Sequence, residues 1–250
     1  MPSVLARFAT SRVSRRDQRQ GAQIAWSVGT AARYLFHVPD ELRVEFHREL
    51  EKIDRQVLGL FALVGECVAG ATDALLTGDR DAAKVLVERD ALIDRAYLDI
   101  EEVVQRLLIL QSPVASELRF LLTAYRIVPE LERSADLAEH IAQRAARGLT
   151  PALTPRVRGL VDQMGRVAVE MWHRATDAYA DRDAGAHDRL NDKDDELDDL
   201  HLSLTSEISS GKLDIPVVIE MALIARFYER LGDHAVNVAA HVRYLATGTD

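Results

Sequence analysis

The chain carries a single cysteine, Cys67, in 250 residues. One thiol excludes a disulfide framework and a thiolate-ligated metal site, and is compatible with a reducing compartment. No uninterrupted apolar run approaches the ~18 residues of a membrane-crossing helix; the best, Val57 to Gly65, stops at Glu66. A membrane span is therefore not expected, and membrane association would pass through a partner. Basic excess is missing too. The net charge is −9, whereas phosphate-backbone contact needs cationic surface, so nucleic acid is not an expected partner. There is no glycine-rich phosphate loop, no nucleophile elbow and no zinc-protease motif. Glycine and proline, 13 and 7 in number, fall between apolar-periodic segments rather than at hairpin spacing, so strand signals are weak.

What remains is helical period. The hydrophobic fraction is 48%, normal for a globular protein. Leu50, Ile53, Val57, Leu60, Phe61, Val64 and Val68 keep the three-and-four spacing of an amphipathic helix, which Gly78 ends. A second helix follows through Val85, Leu86, Leu92, Ile93, Ile100, Val103, Val104, Leu107 and Leu108. Ser112-Pro113 breaks it and restarts a third, with the proline expected in the first turn. Gly148 to Pro155 reads as a linker, with Thr154 as N-cap and Pro155 at the first helical position. A fourth helix is expected to about Asp183, a fifth over 184–210 ended by Gly211, and a sixth from Asp214-Ile215-Pro216 to about Ala246. Residues 1–41 differ. They hold six arginines against three acids, are rich in Arg, Ser and Ala, and show no sustained period. They are expected to be a disordered leader or upstream sequence from a misassigned start.

The chain also repeats itself. Ala71-Thr72-Asp73-Ala74 returns as Ala175-Thr176-Asp177-Ala178, 104 residues on, and at that offset Asp90 and Asp94 fall on Asp194 and Asp198. Glu132-Arg133-Ser134-Ala135-Asp136 returns 97 residues on as Glu229-Arg230-Leu231-Gly232-Asp233. The expected architecture is all-α: two tandem three-helix bundles related by internal duplication, over residues 42–148 and 155–250, joined by a linker at 149–154.

Each half thus carries two acid-x-x-x-acid pairs, and residues four apart are neighbours on a helix face. If the second and third helices of a bundle face each other at the right height, four carboxylates converge: Asp90, Asp94, Glu132 and Asp136 in one half, Asp194, Asp198, Glu229 and Asp233 in the other. Converging carboxylates oppose one another's ionisation, and a cation resolves the conflict. Oxygen ligands suit Mg²⁺, Ca²⁺ or Mn²⁺; added imidazole also suits iron or zinc. One turn further, His140 offers an imidazole in the first half and Asn237 an amide in the second. Against this stands a solvated acidic face, since 40 of the 250 residues are acidic and chance pairs are frequent. Arg133 and Arg230 would neutralise part of each cluster or pair with surface acids. Glu170-x-x-His173 matches half of a di-iron bundle motif, which needs it on two helices. A carboxylate-bridged metalloenzyme is therefore the alternative function, and Met164, Met171, Trp172 and Met221 read as core.

From about Leu42 onward the chain resembles the PhoU family, accessory proteins of bacterial phosphate uptake. Gln111-Ser112-Pro113-Val114-Ala115-Ser116-Glu117-Leu118-Arg119 is similar to the family's Gln-Gln-Pro-Val-Ala-x-Asp-Leu-Arg. Glu229-Arg230-Leu231-Gly232-Asp233-His234-Ala235-Val236-Asn237 is similar to its Glu-Arg-Ile-Gly-Asp-x-x-x-Asn. Asp194 to His201 and Arg226 to Arg230 look most like actinobacterial members. The first copy departs from the pattern at Ser134-Ala135, where Ile-Gly is usual, at His140, where Asn is usual, and at Glu117, where Asp is usual. The resemblance implies iron or zinc on the two acid quartets and no catalysis. It implies a cytoplasmic regulator, expected as a homodimer, that restrains a phosphate-sensing histidine kinase and contacts the ATPase subunit of the Pst phosphate transporter.

Overall fold

The computed structural model describes residues 40–249; the leader expected over 1–41 lies, but for Asp40 and Glu41, outside them. The chain divides into two compact units, Met1–His47 and Arg48–Asp250. The described part of the first is the opening of a helix, and every contact below belongs to the second.

Six α-helices follow one another: α1 (Asp40–Thr77), α2 (Arg80–Leu110), α3 (Ser116–Ala146), α4 (Pro155–Asp181), α5 (Ala186–Ile208) and α6 (Ile215–Thr247), with one 3₁₀ turn at Thr150–Ala152. The protein is all-α, and no strand occurs among the described residues. Helix starts follow their capping chemistry. Asp79 accepts hydrogen bonds from the backbone of Asp81 and Ala82, and Thr154 accepts one from Val157 with Pro155 at the first position, as the sequence predicts. One start differs. Pro113 lies ahead of α3 rather than in its first turn, because Ser112 and Ala115 adopt positive φ, 46° and 45°, and delay the helix to Ser116.

The repeats pack through their first and third helices. α3 packs on α6, α2 on α3, and α4 on both α5 and α6. Between α1 and α4, Phe61 lies against Trp172 and Tyr179, ring centroids 6.2 and 5.3 Å apart. All three side chains are buried; burying each contributes about 1.5–3 kcal/mol. Tyr179 and Arg182 both donate to one oxygen of Asp54 on α1. From α6, the Tyr228 hydroxyl meets Thr72 of α1 at 2.7 Å. α2 and α5 bury five residues each, one face of a helix, and so act as covers.

By length and composition α1 is apolar enough to cross a membrane, with a mean hydropathy of 1.5 over 18 residues. Half of that window is buried within the protein, as expected where one face of an amphipathic helix packs on a core. The apolar-run criterion missed this because Glu66 interrupts an otherwise apolar stretch.

One contact sets how closely α1 and α4 approach. A Cβ on Gly165 would sit 2.3 Å from the Thr72 methyl and 2.8 Å from its hydroxyl oxygen. Gly165→Ala is expected to destabilise by about 1–3 kcal/mol through overpacking. Adding Thr72→Ala should recover part of that loss, giving a favourable coupling in a urea-denaturation double-mutant cycle. Strictly additive effects would mean that the two helices are free to part.

Candidate functional site

The α2–α3 seam brings acids of the first half together. Asp90 and Asp94 stand one turn apart on α2, and one oxygen from each gathers with one from Asp136 of α3, all within 4.8 Å of one another. Asp90 precedes the buried Ile93 by three residues, so its carboxyl sits at the edge of the core. Burial first, then the charges of Asp136, Asp94, Glu139 and Glu132, push it up to about 6. Glu132 and Asp136 are also raised, chiefly by burial. One oxygen of Asp90, Oδ1, is buried with no hydrogen-bond partner.

The second half has the same electrostatics in a looser geometry. Asp194, three residues before the buried Leu197, is pushed up to about 7 by burial and then by Asp198, Asp233, Glu229 and Asp195. Asp194 Oδ1 and Glu229 Oε2 are buried without partners. Among the described residues, however, only Asp90, Asp94 and Asp136 close to within that distance. Arg226 holds Glu229 by an ion pair, whereas Pro129 occupies the equivalent place in the first half and Arg133 is taken up by Glu130.

The helices approach each other differently as well. A Cβ on Gly232 would lie 2.2 Å from Asp194 Oδ1 and 2.8 Å from Leu197, so α6 presents bare backbone to the Asp194 carboxyl. Ala135 stands there in the first half.

The remaining singled-out residues separate clearly. Glu132 lies in the electrostatic field of the first group without joining the close trio. His140 eases the rise of Asp136 while its ring lies 5.4 Å from that of Phe227 on α6. Asn237 is exposed. The second half draws its imidazole from α5 instead, where His201 partly offsets the rise of Glu229. Glu139 is a further acid around the first trio; its i+7 spacing from Glu132 was the available signal. Glu170 of Glu170-x-x-His173 is bonded to Arg174 and Lys193, so its carboxylate is engaged in ion pairs.

Buried carboxylate oxygens that face like charges, with no donor beside them, are costly while ionised. Either protons or a cation relieve them. The donor set is oxygen, with an imidazole nearby in each half, so the residues fit a divalent metal ion.

Comparison with known proteins gives a consistent picture. A sequence profile of the PhoU domain matches residues 57–145 and again 161–242. The phosphate-specific transport system accessory protein PhoU homolog 1 of Mycobacterium leprae is 33% identical over 211 residues, covering 83% of this chain and 95% of that protein. PhoU homolog 2 of Mycobacterium tuberculosis is 33% identical over 210 residues, 83% of this chain and 99% of its own length. The crystal structure of PhoU from Pseudomonas aeruginosa superposes with a TM-score of 0.76 at 31% identity, covering 82% of this chain and all of that one (100%).

The raised carboxyls fix a pH dependence for metal-free protein. The folded values of Asp90 and Asp194, about 6 and about 7, exceed their unfolded value of about 4. Between these limits the folded state binds more protons, so stability is highest at the acid end and falls as pH rises through the folded values. Metal-stripped protein should lose about 1–2 kcal/mol from pH 5 to pH 8 after allowance for solvent screening. Asp90→Asn with Asp194→Asn should flatten the profile. Urea melts at the two pH values check this, and a midpoint that rises with pH contradicts it.

Proposed function

This chain belongs to the PhoU family, and on that premise we propose that it regulates phosphate uptake by contact, as an adaptor between the phosphate transporter and a phosphate-sensing histidine kinase. As a member of a family of accessory proteins, it is not an enzyme. The observation that carries the reading is coverage: relatives named phosphate-specific transport system accessory proteins align over 95–99% of their own length, and both repeats match the family profile. In this reading it works in the cytoplasm as a homodimer, reaches the membrane only through the transporter's ATPase subunit, and lowers the kinase's starvation output when phosphate is plentiful.

The acid quartets are proposed to hold metal. Asp90, Asp94 and Asp136 would bind a cation in the first half, with Glu132 and His140 beside it. Asp194, Asp198, Glu229 and Asp233 would do so in the second, with His201 alongside. Iron or zinc fits a site with an imidazole neighbour; Mg²⁺ or Mn²⁺ fits carboxylates alone. A bound cation would neutralise the seam and stiffen the packing of α2 on α3 and of α5 on α6. The orphaned oxygens of Asp90, Asp194 and Glu229 support this assignment.

Two measurements test these readings. Purified chain should bind the transporter ATPase subunit, the kinase, or both, and its deletion should leave a starvation reporter active in high phosphate; binding to neither, with a silent reporter, overturns the adaptor role. Glu229→Ala with Asp233→Ala should strip metal from the second half, by elemental analysis, with helicity unchanged. Equal loss of metal and helicity would mean that these side chains support the core instead.

A further inference from the structure

An adaptor needs surfaces on which partners sit, and the α1–α4 face carries one that the carboxylate chemistry leaves unused. Where Gly165 brings α4 onto Thr72, the two helices border a groove of ≈ 510 Å³, within the range of binding clefts, about 300–1,000 Å³. Its apolar floor is made by Ala69 and Leu76 of α1 and Val169 of α4. Its α4 edge is a ladder of alternating charge at four-residue steps: Asp162, Arg166, Glu170, Arg174. At 1.5 Å per residue the ladder runs about 18 Å, longer than a small ligand requires.

Within the ladder Arg166 pairs with Asp162 and Arg174 with Glu170, which Lys193 of α5 also holds. The two arginines remain 76% and 47% exposed. Exposed pairs of this kind contribute little to stability, so their charges can be exchanged for bonds across an interface. An apolar floor with a charged edge that repeats every turn is the complement of an α-helix lying lengthwise. Apolar side chains at three-and-four spacing would enter the groove. The flank of that helix would set bases against Asp162 and Glu170 and acids against Arg166 and Arg174, and the order of charges would fix its direction and register.

We propose that the α1–α4 groove docks an amphipathic helix of a partner protein, one that carries acids and bases alternating at four-residue spacing along its flank. The proposal rests on the adaptor reading and names the surface through which it works.

The test is binding of the purified transporter ATPase subunit, and of the kinase's cytoplasmic portion, to full-length protein. Two variants are compared with wild type: Val169→Glu, which charges the floor, and Asp162→Arg with Arg166→Asp, which reverses part of the ladder while keeping an i,i+4 pair on α4. The reversal should leave circular dichroism, the thermal midpoint and metal content near wild type, and so carries the test if Val169→Glu folds poorly. Both are expected to weaken one partner about tenfold or more. Wild-type affinity of the reversed ladder for both partners overturns the groove and leaves the adaptor reading standing. Failure of wild type to bind either partner overturns the adaptor reading, and the groove with it. A changed oligomeric state with unchanged partner affinity assigns the groove to a second copy and overturns the partner helix.

Discussion

Close packing between the two repeats is the constraint on which the molecule depends. Gly165 meets Thr72 between α4 and α1, with no room for a Cβ, and His234 meets Ser134 between α6 and α3 at 2.9 Å. The serine hydroxyl donates to the Glu130 carbonyl, so the His234 ring must present Nδ1–H to the serine oxygen. Burial keeps that ring below the usual histidine value, which favours the neutral imidazole. Contacts this specific prevent the helices from sliding. With α1 on α4 and α3 on α6, α2 and α5 are left to cover one face each.

That arrangement explains why the acids are half buried. Asp90 and Asp194 each precede a core residue, Ile93 and Leu197, by one helical turn. Their backbones are committed to the core face while their side chains reach the seam with the third helix. A solvated acidic face would hold its carboxyls near their ordinary values; these two are raised to about 6 and about 7, with burial the leading cause. A fold that places charge where it is unfavourable breaks a local rule of stability, and such breaks concentrate at functional sites. The core of aromatic and aliphatic side chains at the α1–α4 contact supports this cost without help from the acids.

Much of this was legible in the chain. Apolar period and glycine placement gave six helices, because burial on one face leaves a three-and-four trace whatever the topology. The acid pairs were legible because a four-residue step is a property of the helix itself. What lay outside sequence reach was the relation between helices. Whether Asp136 closes on Asp90 and Asp94, while its counterpart Asp233 does not close in the same way on Asp194 and Asp198, depends on how helices far apart in sequence meet. Ser134 and His234 carry no local pattern at all, since 100 residues separate them. Pro113 was misplaced because the positive φ of Ser112 and Ala115 breaks the usual preference of non-glycine residues.

The two copies also differ at particular positions. Where the seam has Ser134 and His234, the repeat-equivalent positions are Leu231 and Leu137, both buried. Ala135 stands for Gly232, Pro129 for Arg226, and His140 for Asn237. Each exchange touches either the contact between repeats or the immediate surroundings of a carboxylate group. The covers α2 and α5, by contrast, keep Asp90 and Asp94 matched to Asp194 and Asp198 without a gap. The third helices, α3 and α6, are the ones that meet across the molecule. The two carboxylate groups are thus unequal in geometry and lie on helices that pack on each other.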